Sequence, residues 1–275
     1  MYSLNCKGKL LPIEPAVVMG ILNLTPDSFY AGSRYQDTDQ VLTQAEKMLN
    51  EGAAILDIGG QSTRPGSARI SEEEELQRVI APIEACHRRF PDAILSIDTY
   101  YAKVAGEAVQ AGASIVNDIS GGNMDANMLH AVAGLKVPYI CTHMQGQPDS
   151  MQEAPHYRDV VLEVLDFFVL KIKSCREKGI SDIVVDPGFG FGKTIRHNFQ
   201  LLKGLKAFNM LQVPLMVGLS RKSTVYKTLG VSAEDALNGS TVLHTMALMN
   251  GAQILRVHDV KAAVEAVKLF AAYGE

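Results

Sequence analysis

The chain has 275 residues, of which 47% are hydrophobic and 20% charged, and its formal net charge at pH 7 is −4. These values are typical of a folded globular protein and exclude a disordered chain, which needs low hydrophobicity and high charge. The 26 Lys and Arg residues are spread along the chain and Trp is absent. We therefore expect no basic surface for duplex nucleic acid and no aromatic platform for single strands.

Cysteine usage and the amino-terminal residues bear on the cellular compartment. Cys6, Cys86, Cys141 and Cys175 lie far apart and form no C-x-x-C pair, which indicates reduced thiols rather than a metal site or a disulfide framework. The first nine residues lack the basic and then apolar order of a secretory signal. No run approaches the ~20 apolar residues that cross a bilayer. We expect a cytoplasmic protein with no membrane partner.

Short apolar runs recur along the chain and predict its strands. They cover residues 17–22, 55–58, 94–97, 114–116, 137–140, 183–185, 214–218 and 254–257. Near-continuous runs of this kind are typical of strands covered on both faces. The seven intervals between Val17 and Ile254 average about 34 residues, which is the length of a β-loop-α unit. The pattern predicts a (β/α)8 barrel, with the whole chain, 1–275, as one domain.

The segments between the runs carry helical signals. Residues 38–51 have apolar side chains at helical spacing, and Ser71 with the glutamates that follow it predicts a capped helix reaching about Arg89. The segments between the predicted strands that begin at residues 94, 114 and 137 are short, so we expect only brief helices there. Residues 1–15 are expected to cap the amino-terminal mouth of the barrel as a hairpin that turns at 7–9. A doubly wound open sheet is the competing fold, but no G-x-G-x-x-G turn follows the first strand.

A polar or ionisable side chain follows every predicted strand. In chain order these are Asn23, Gln61, Thr63, Arg64, Asp98, Asn117, Asp118, His143, Asp186, Ser220, Arg221, Lys222, Arg256 and His258. The carboxyl ends of barrel strands meet at one mouth. A lone Asp there is usually a turn former or a helix cap, whereas a set after all eight strands converges on one cavity. His143 has no partner at metal-ligand spacing, so we expect it to be a structural hydrogen-bonding group.

The residue types predict the kind of ligand. Arginine forks suit phosphate oxygens, and buried carboxylates accept pairs of bonds from a donor-rich edge. The ligand should therefore carry an anionic group and a guanidine-like heterocycle. The Gly- and Pro-containing segments 23–32 and 59–66 are expected to be mobile covers over the mouth.

Six motifs, in order, resemble those of the dihydropteroate synthases, a family of pterin-binding TIM barrels. They are MGILNLTPDSF at 19–29, QSTRPG at 61–66, NDISGG at 117–122, DPGFGFGK at 186–193, SRKS at 220–223 and RVHDV at 256–260. The resemblance extends from about Leu4 to the carboxyl terminus. It implies condensation of 7,8-dihydropterin-6-ylmethyl diphosphate with 4-aminobenzoate, which gives dihydropteroate and pyrophosphate in folate synthesis.

The resemblance also implies roles for individual residues. The pterin site would comprise Asp98, Asn117, Asp186 and Lys222, with Arg256 against the ring. The diphosphate site would comprise Asn23, Thr63, Arg256 and His258, and Asn23 would also ligate Mg²⁺. The aminobenzoate site would comprise Phe29, Thr63, Arg64, Pro65, Phe191 and Ser223. Asn23, Lys222, Arg256 and His258 would thus carry the catalysis, a dissociative substitution in which charge builds on the departing diphosphate.

Two alternatives stay open. One is a related barrel that passes a methyl group from methyltetrahydrofolate to a corrinoid; it shares the pterin-site Asp and Asn but has no use for residues 61–66 or for Arg256 with His258. The other is a pterin-binding homologue without activity, which two departures from the family pattern support: many members have an acidic residue where Gln61 stands and Asp-Gly-Gly where residues 31–33 read Ala-Gly-Ser. The resemblance further implies a homodimer through the last helices, where residues 236–249 and 262–272 are rich in apolar side chains.

Overall fold

A computed structural model of the chain describes residues 2–24, 34–61, 69–148 and 150–274. Its strands are β1 (Ser3–Cys6), β2 (Lys9–Pro12), β3 (Val17–Asn23), β4 (Ile55–Gly59), β5 (Ile94–Asp98), β6 (Ile115–Asp118), β7 (Tyr139–Thr142), β8 (Ile183–Asp186), β9 (Met216–Val217) and β10 (Ile254–Val257). The last eight of these form one parallel sheet in the order β8-β7-β6-β5-β4-β3-β10-β9. A parallel bridge between Val185 and Leu215 joins the two outer strands, so the predicted barrel is confirmed and the open sheet is excluded.

Helices surround this barrel and follow the predicted order. They are α1 (Arg34–Asn50), α2 (Glu72–Arg89), α3 (Ala102–Ala111), α4 (Met128–Leu135), α5 (Val160–Glu177), α6 (Ile195–Lys203), a 3₁₀ helix (Leu205–Leu211), α7 (Ser223–Leu229), α8 (Leu237–Met249) and α9 (Val260–Gly274). Ser71 caps α2 by accepting a hydrogen bond from the Glu74 amide at 3.2 Å. Helices α3 and α4 are short, as the short intervals predicted. In the part of the chain that is described, no helix has the length and apolar character of a membrane span.

The side chains of the barrel strands alternate between two hydrophobic cores. Outward-facing residues such as Leu56 and Ile58 pack against the helices in the larger core. Inward-facing residues near the start of each strand form a second core inside the barrel: Met19, Ile55, Ile94, Ile115, Ile140, Val184, Met216 and Ile254. Both faces of each strand are therefore buried, which explains why the strand sequences are nearly continuous apolar runs.

The amino-terminal hairpin closes one mouth of the barrel, as predicted. Strands β1 and β2 pair antiparallel, with Cys6 opposite Lys9, and the turn lies at Lys7 and Gly8. Leu4, Cys6, Leu11 and Ile13 are buried in the same core as the inward-facing residues of the eight strands. The hairpin thus completes a core that the barrel alone would leave open to water, and the carboxyl-terminal mouth is the end available for ligands.

Candidate active site

The interior of the barrel changes from apolar to polar within two residues along most strands. Because side chains alternate with a period of two, the positions two residues beyond the inner core also face inward. Six of them are polar: Asp57, Ser96, Asn117, Thr142, Asp186 and Arg256. Asp98 and Asn23 lie two residues further on at the ends of β5 and β3. The carboxyl-terminal half of the barrel is therefore lined with hydrogen-bonding and charged groups.

Arg256 lies at the centre of this lining and pairs with two carboxylates. Its Nε donates to Asp57 Oδ2 at 2.6 Å, and its Nη2 donates to Asp98 Oδ2 at 2.6 Å. Asn117 Nδ2 donates to the same Asp57 oxygen at 3.0 Å. The structure thus brings together the predicted residues Asp98, Asn117 and Arg256, and Asp57 links two of them.

Carboxyl groups outnumber cations in this lining. In the described part of the cavity, the carboxyl groups of Asp57, Asp98 and Asp186 face Arg256 and Lys222, and the buried Lys193 also acts on Asp186. Burial raises the pKa of Asp98 to about 7, although the Arg256 cation opposes this change. Burial likewise raises the pKa of the Asp186 carboxyl, opposed by Lys222. A ligand whose edge is rich in N–H donors would offset the cost of burying these carboxylates.

Lys222 extends over the cavity from the residue before α7. It is half-buried, its Nζ donates to the Phe189 carbonyl oxygen, and the same atom lies 4.5 Å from the centre of the Phe191 ring. Burial lowers the pKa of Lys222 to about 8, an effect that the Asp186 carboxylate opposes. Lys222 is therefore predominantly cationic at pH 7 and lies against two residues of the 186–193 motif.

The 186–193 motif forms a loop that packs closely against the residues after β7. Asp186 Oδ1 accepts a hydrogen bond from the Gly188 amide at 2.8 Å. Gly188 and Gly192 have positive φ values of 70° and 61°, and a Cβ there would lie 1.9 Å from the His143 oxygen and 2.2 Å from the Gln145 oxygen. Only glycine fits such positions, which accounts for two of the three glycines in the motif.

Lys193 holds this loop in place from within the protein. It is buried, and its Nζ lies 2.9 Å from His143 Nδ1 and donates to the carbonyl oxygens of Gly188 at 3.0 Å and Phe191 at 3.1 Å. Burial lowers the pKa of Lys193 to about 7. His143 is thus a structural hydrogen-bonding group, as predicted, and its partner positions the loop that carries Asp186 and Phe191.

Asn23 and His258 lie nearer the rim. Asn23 is half-buried at the end of β3, where its backbone pairs with Gly59 of β4. His258 follows β10, and its Nδ1 lies 3.1 Å from Ser220 Oγ. The His258 side chain is exposed at this rim, but desolvation by the surrounding protein and then the neighbouring Arg256 cation lower its pKa. The His258 ring is therefore predominantly neutral at pH 7, and it lies just beyond the end of β10, two residues after Arg256.

The predicted aminobenzoate residues are divided between two parts of the chain. Phe29, Thr63, Arg64 and Pro65, together with the departure at 31–33, lie outside the described residues. Phe191 is buried beneath Lys222. Ser223 is the first residue of α7, directly after Lys222. The predicted covers at 23–32 and 59–66 also lie largely outside the described part of the chain.

Gln61 takes an acceptor role at the edge of the site. It is buried, and its Oε1 accepts hydrogen bonds from the Ile70 amide at 2.9 Å and from the Tyr100 hydroxyl at 3.2 Å. A carboxylate oxygen can accept the same two bonds. The presence of Gln61, where many family members have an acidic residue, therefore preserves this part of the hydrogen-bond network.

Two buried charged residues are absent from the predicted site, and one predicted residue lies outside the cavity. The sequence prediction places Asp57 within an apolar strand and gives Lys193 no role of its own. A charged residue in the middle of a run predicted to be buried on both faces was the available signal for Asp57. Asp118 faces the helices instead of the cavity, and its Oδ2 accepts a hydrogen bond from the Tyr139 hydroxyl at 2.8 Å.

The described residues do not form a metal cage. No group of three or more His, Cys, Asp and Glu side chains in that part of the chain is arranged to hold a metal ion. Mg²⁺ commonly keeps several waters and binds to one or two protein oxygens together with substrate phosphates. The Asn23 side chain at the mouth supplies an oxygen of the kind that Mg²⁺ prefers. The residues therefore fit an ion that arrives with a phosphorylated ligand.

Comparison with known proteins gives consistent matches over almost the whole chain. The profile of the pterin binding enzyme family matches residues 19–258. The dihydropteroate synthase of Escherichia coli strain K12 is 44% identical over 268 residues, 97% of this chain and 94% of that protein. A Xanthomonas albilineans dihydropteroate synthase with 4-aminobenzoic acid has a TM-score of 0.92 at 41% identity, covering 99% of this chain and 98% of that one. A structure of that species' enzyme in complex with 7,8-dihydropteroate has a TM-score of 0.90 at 38% identity, covering 99% of both chains.

Proposed function

The chain belongs to the dihydropteroate synthases of the pterin binding enzyme family, and we propose that it joins 7,8-dihydropterin-6-ylmethyl diphosphate to 4-aminobenzoate. The products are 7,8-dihydropteroate and pyrophosphate. The observation that carries the proposal is the buried group of Arg256, Asp98, Asp57 and Asn117 at the open end of the barrel. Fixed charges of both signs at the base of one cavity suit a ligand with a donor-rich ring and an anionic tail.

The acceptors in the lining would hold the pterin ring. A pterin presents N–H donors along one edge, and the carboxylates of Asp98 and Asp186 accept such bonds. Asn117 adds an amide oxygen. Lys222 has ammonium protons beyond the one that it donates to Phe189, and these would meet ring acceptors on the other edge. Arg256 would lie against the ring face, where a guanidinium stacks well.

The rim groups would hold the diphosphate. Arg256 can donate from the part of its guanidinium that the two aspartates leave free, and His258 lies two residues beyond it. Asn23 and Thr63 would complete the site, with Thr63 in a segment outside the described residues. Asn23 and the diphosphate would hold Mg²⁺, which would supply positive charge to offset the charge on the departing oxygens.

We propose a dissociative substitution. An aromatic amine is neutral at pH 7 and needs no strong base, so the difficult event is breakage of the bond between the pterin methylene carbon and the diphosphate oxygen. Negative charge then builds on the diphosphate, where Arg256 and His258 are preorganised to stabilise it. The pterin ring delocalises the positive charge left on the methylene carbon, and the amine nitrogen then bonds to that carbon and loses a proton to water.

The aminobenzoate would bind above the pterin. Phe191 and Ser223 lie on the same side of the cavity as Lys222, and Ser223 begins α7. Phe29, Arg64 and Pro65, together with Thr63, would contribute from the segments that follow β3 and β4. This arrangement keeps the amine nitrogen on the open side of the pterin and leaves its carboxylate toward the rim.

The function is tested by pyrophosphate release. Purified protein with Mg²⁺, the pterin diphosphate and 4-aminobenzoate should release pyrophosphate and form dihydropteroate in equal amounts. Chelation of the metal with EDTA should abolish turnover, and added Mg²⁺ should restore it. Absence of release under these conditions would contradict the proposal. Tight binding of methyltetrahydrofolate without any response to pyrophosphate would favour the methyl-transfer alternative instead, and pterin binding without turnover would favour the non-catalytic one.

The dissociative step has its own test. In a substrate labelled with ¹⁸O at the bridging position, reversible bond breakage lets the label move to a non-bridging position of the recovered diphosphate. We expect this exchange in the absence of aminobenzoate, when no amine is present to capture the cation. A complete lack of exchange without the amine, in enzyme that turns over with it, would indicate direct displacement.

We also propose a homodimer through the last helices. Several large apolar side chains of α8 and α9 are exposed: Leu237, Val242, Met246, Met249, Leu269 and Tyr273. Burying such side chains is favourable by roughly 1.5–3 kcal/mol each relative to full exposure. Sedimentation of the wild-type protein should give a mass near twice 29.8 kDa, and Met246→Glu with Met249→Glu should reduce it to that of the single chain.

A further inference from the structure

Asp57 occupies an unusual position for a carboxylate. It is the third residue of β4, its neighbours Ile55, Leu56 and Ile58 are apolar, and its exposed fraction is 0%. Reactive groups in barrels lie at the carboxyl ends of strands, whereas Asp57 lies two residues before that end. A buried carboxylate is costly unless its bonds repay the desolvation, so its partners indicate its purpose.

One carboxylate oxygen of Asp57 accepts hydrogen bonds from two side chains. Oδ2 accepts from Arg256 Nε at 2.6 Å and from Asn117 Nδ2 at 3.0 Å. Arg256 comes from β10 and Asn117 from β6, and β4 is two strands from each in the sheet order. Asp57 therefore connects side chains from two sides of the barrel at one point beneath the cavity.

This contact fixes the orientation of the Asn117 amide. An ionised carboxylate can only accept hydrogen bonds, so the NH₂ group of Asn117 has to face Asp57. The Asn117 oxygen then points elsewhere; it is buried and has no hydrogen-bond partner within the described residues. A buried acceptor without a partner is suited to an N–H donor of the ligand.

The same contact fixes the Arg256 guanidinium. Asp57 occupies Nε and Asp98 occupies Nη2, which holds the planar group at two of its three nitrogens. The third nitrogen, Nη1, has no hydrogen-bond partner in the described part of the chain and remains available for an anionic group. Because both contacts are charge-assisted, the orientation persists before any substrate arrives.

We propose that Asp57 is a positioning residue that makes Asn117 an acceptor toward the pterin edge and directs the free side of Arg256 toward the diphosphate. This inference rests on the proposed function, because it assigns Asp57 to the pterin and diphosphate sites of that reaction. Asp57 touches neither substrate; it acts through the two residues that it orients. Its effect should therefore appear in ligand discrimination as well as in rate.

The main test is Asp57→Asn. The amide keeps the shape and one acceptor oxygen, but it removes the charge and allows Asn117 to bind in either orientation. We expect kcat/KM to fall about a hundredfold, as for loss of one preorganised charge contact. Preference for the pterin over an analogue lacking the 2-amino group, measured as a ratio of dissociation constants, should fall about tenfold. A purely structural Asp57 would lower Tm and leave this ratio unchanged, which would overturn the proposal.

Asp118→Asn is the matched control, because it makes the same change of a buried carboxyl group to an amide. Asp118 is the last residue of β6, is fully buried and faces the helices, where its Oδ2 accepts a hydrogen bond from the Tyr139 hydroxyl at 2.8 Å. The substitution therefore changes a buried carboxyl group outside the cavity, without contact to the side chains of Arg256 and Asn117. Its discrimination ratio should equal that of the wild type, and an equal loss in both variants would count against a specific role for Asp57.

A measurement on the unmodified enzyme avoids dependence on the variant's folding. In ¹⁵N-labelled wild type the Arg256 Nε proton, assigned by its absence in Arg256→Lys, should exchange slowly at pH 7 because it is bonded to Asp57. The signal should persist when the pterin diphosphate is added without aminobenzoate. Its loss on binding would overturn the proposal, since Asp57 would then not hold Arg256 in the complex.

The two proposals fail separately. Wild-type turnover is measured beside every variant, and wild type that releases no pyrophosphate contradicts the proposed function itself. Wild type that turns over normally, with Asp57→Asn equal to it in rate and discrimination, contradicts only the role of Asp57.

Discussion

The two ends of this barrel are built on the same strands and have opposite chemistry. At the amino-terminal end, eight inward-facing apolar residues and the hairpin form a sealed hydrophobic core. Two residues further along, β4 carries Asp57, β6 carries Asn117 and β10 carries Arg256, and these groups are bonded to one another. A shift of about 7 Å along a strand therefore separates the residues that stabilise the barrel from those that we propose bind the ligand.

The two ends also differ in the interactions that stabilise their buried side chains. Leu4 and Ile13 of the hairpin need only apolar neighbours, so their contribution scales with buried area. The charged end instead depends on exact pairing, since each buried carboxylate there requires a donor. Substitutions at the two ends should accordingly have separable effects on stability and on activity.

The largest effect is expected at the charged end. Arg256→Ala removes the cation that would face the departing diphosphate, so kcat should fall about a hundred- to a thousandfold, equivalent to about 3–4 kcal/mol of barrier. Steady-state pyrophosphate release gives the rate, and circular dichroism verifies the fold. A kcat within threefold of wild type would show that this end does not carry the catalysis.

The opposite end provides the converse experiment. Leu4 is 1% exposed, and Leu4→Ala should lower the free energy of unfolding by about 2–4 kcal/mol through lost burial and the cavity left behind. Urea denaturation measures this change, and kcat of the folded variant should stay within twofold of wild type. Leu10→Ala is the control, because Leu10 is 71% exposed and should change stability little. A loss of kcat in Leu4→Ala would show that the ends are coupled.

Asp186→Asn should weaken pterin binding with less effect on the fold. The amide oxygen can still accept from the Gly188 amide, but the group facing the ligand then donates where the pterin also donates. We expect the dissociation constant for the pterin diphosphate to rise about ten- to a hundredfold, measured by calorimetry without aminobenzoate. Unchanged affinity would contradict the placement of the pterin beside Asp186.

The smallest effect concerns Glu75, which is buried outside the barrel behind the charged end. Burial raises its pKa to about 8, although a hydrogen bond from the Thr99 hydroxyl at 2.9 Å opposes this. The folded protein then keeps a proton that the unfolded chain releases between about pH 4.5 and 8, so this group makes stability fall as pH rises through that window.

Glu75→Gln cannot ionise and should lack this dependence. The free energy of unfolding of the variant minus that of wild type should rise by about 1–3 kcal/mol from pH 5 to pH 8. Parallel urea titrations at both pH values measure the difference. A difference that is constant with pH would show that Glu75 is ionised in the folded protein throughout.

The strand positions and much of the charged lining followed from the sequence. Asp98, Asn117, Asp186 and Arg256 were found because they follow apolar runs, and barrel topology then places them at one mouth. Their pairing did not follow, since the bonds of Arg256 depend on the stagger of β10 against β4, which no local pattern specifies. Asp57 is absent from the predicted site for a related reason. From the sequence, an inward-facing position within a strand cannot be distinguished from other core positions unless its layer in the barrel is known.

Lys193 was missed for a different physical reason. Its partners, His143 and the carbonyl oxygens of Gly188 and Phe191, are brought to it by the folding of a loop. Every residue has a backbone carbonyl, so the residue types do not show which carbonyls accept hydrogen bonds from a side chain. A buried lysine that donates to carbonyl oxygens therefore cannot be distinguished in the sequence from a surface lysine. Gln61 is the reverse case, where an apparent departure proves to keep its acceptor bonds.

The hairpin that closes the amino-terminal mouth has a kinetic consequence for the proposed reaction. Because that end is closed, substrates would enter and products would leave through the carboxyl-terminal mouth. A pterin that binds at the bottom of the cavity would have to enter before the amine, and aminobenzoate that binds first would obstruct it. High concentrations of aminobenzoate would then inhibit turnover, and additional pterin diphosphate would relieve the inhibition.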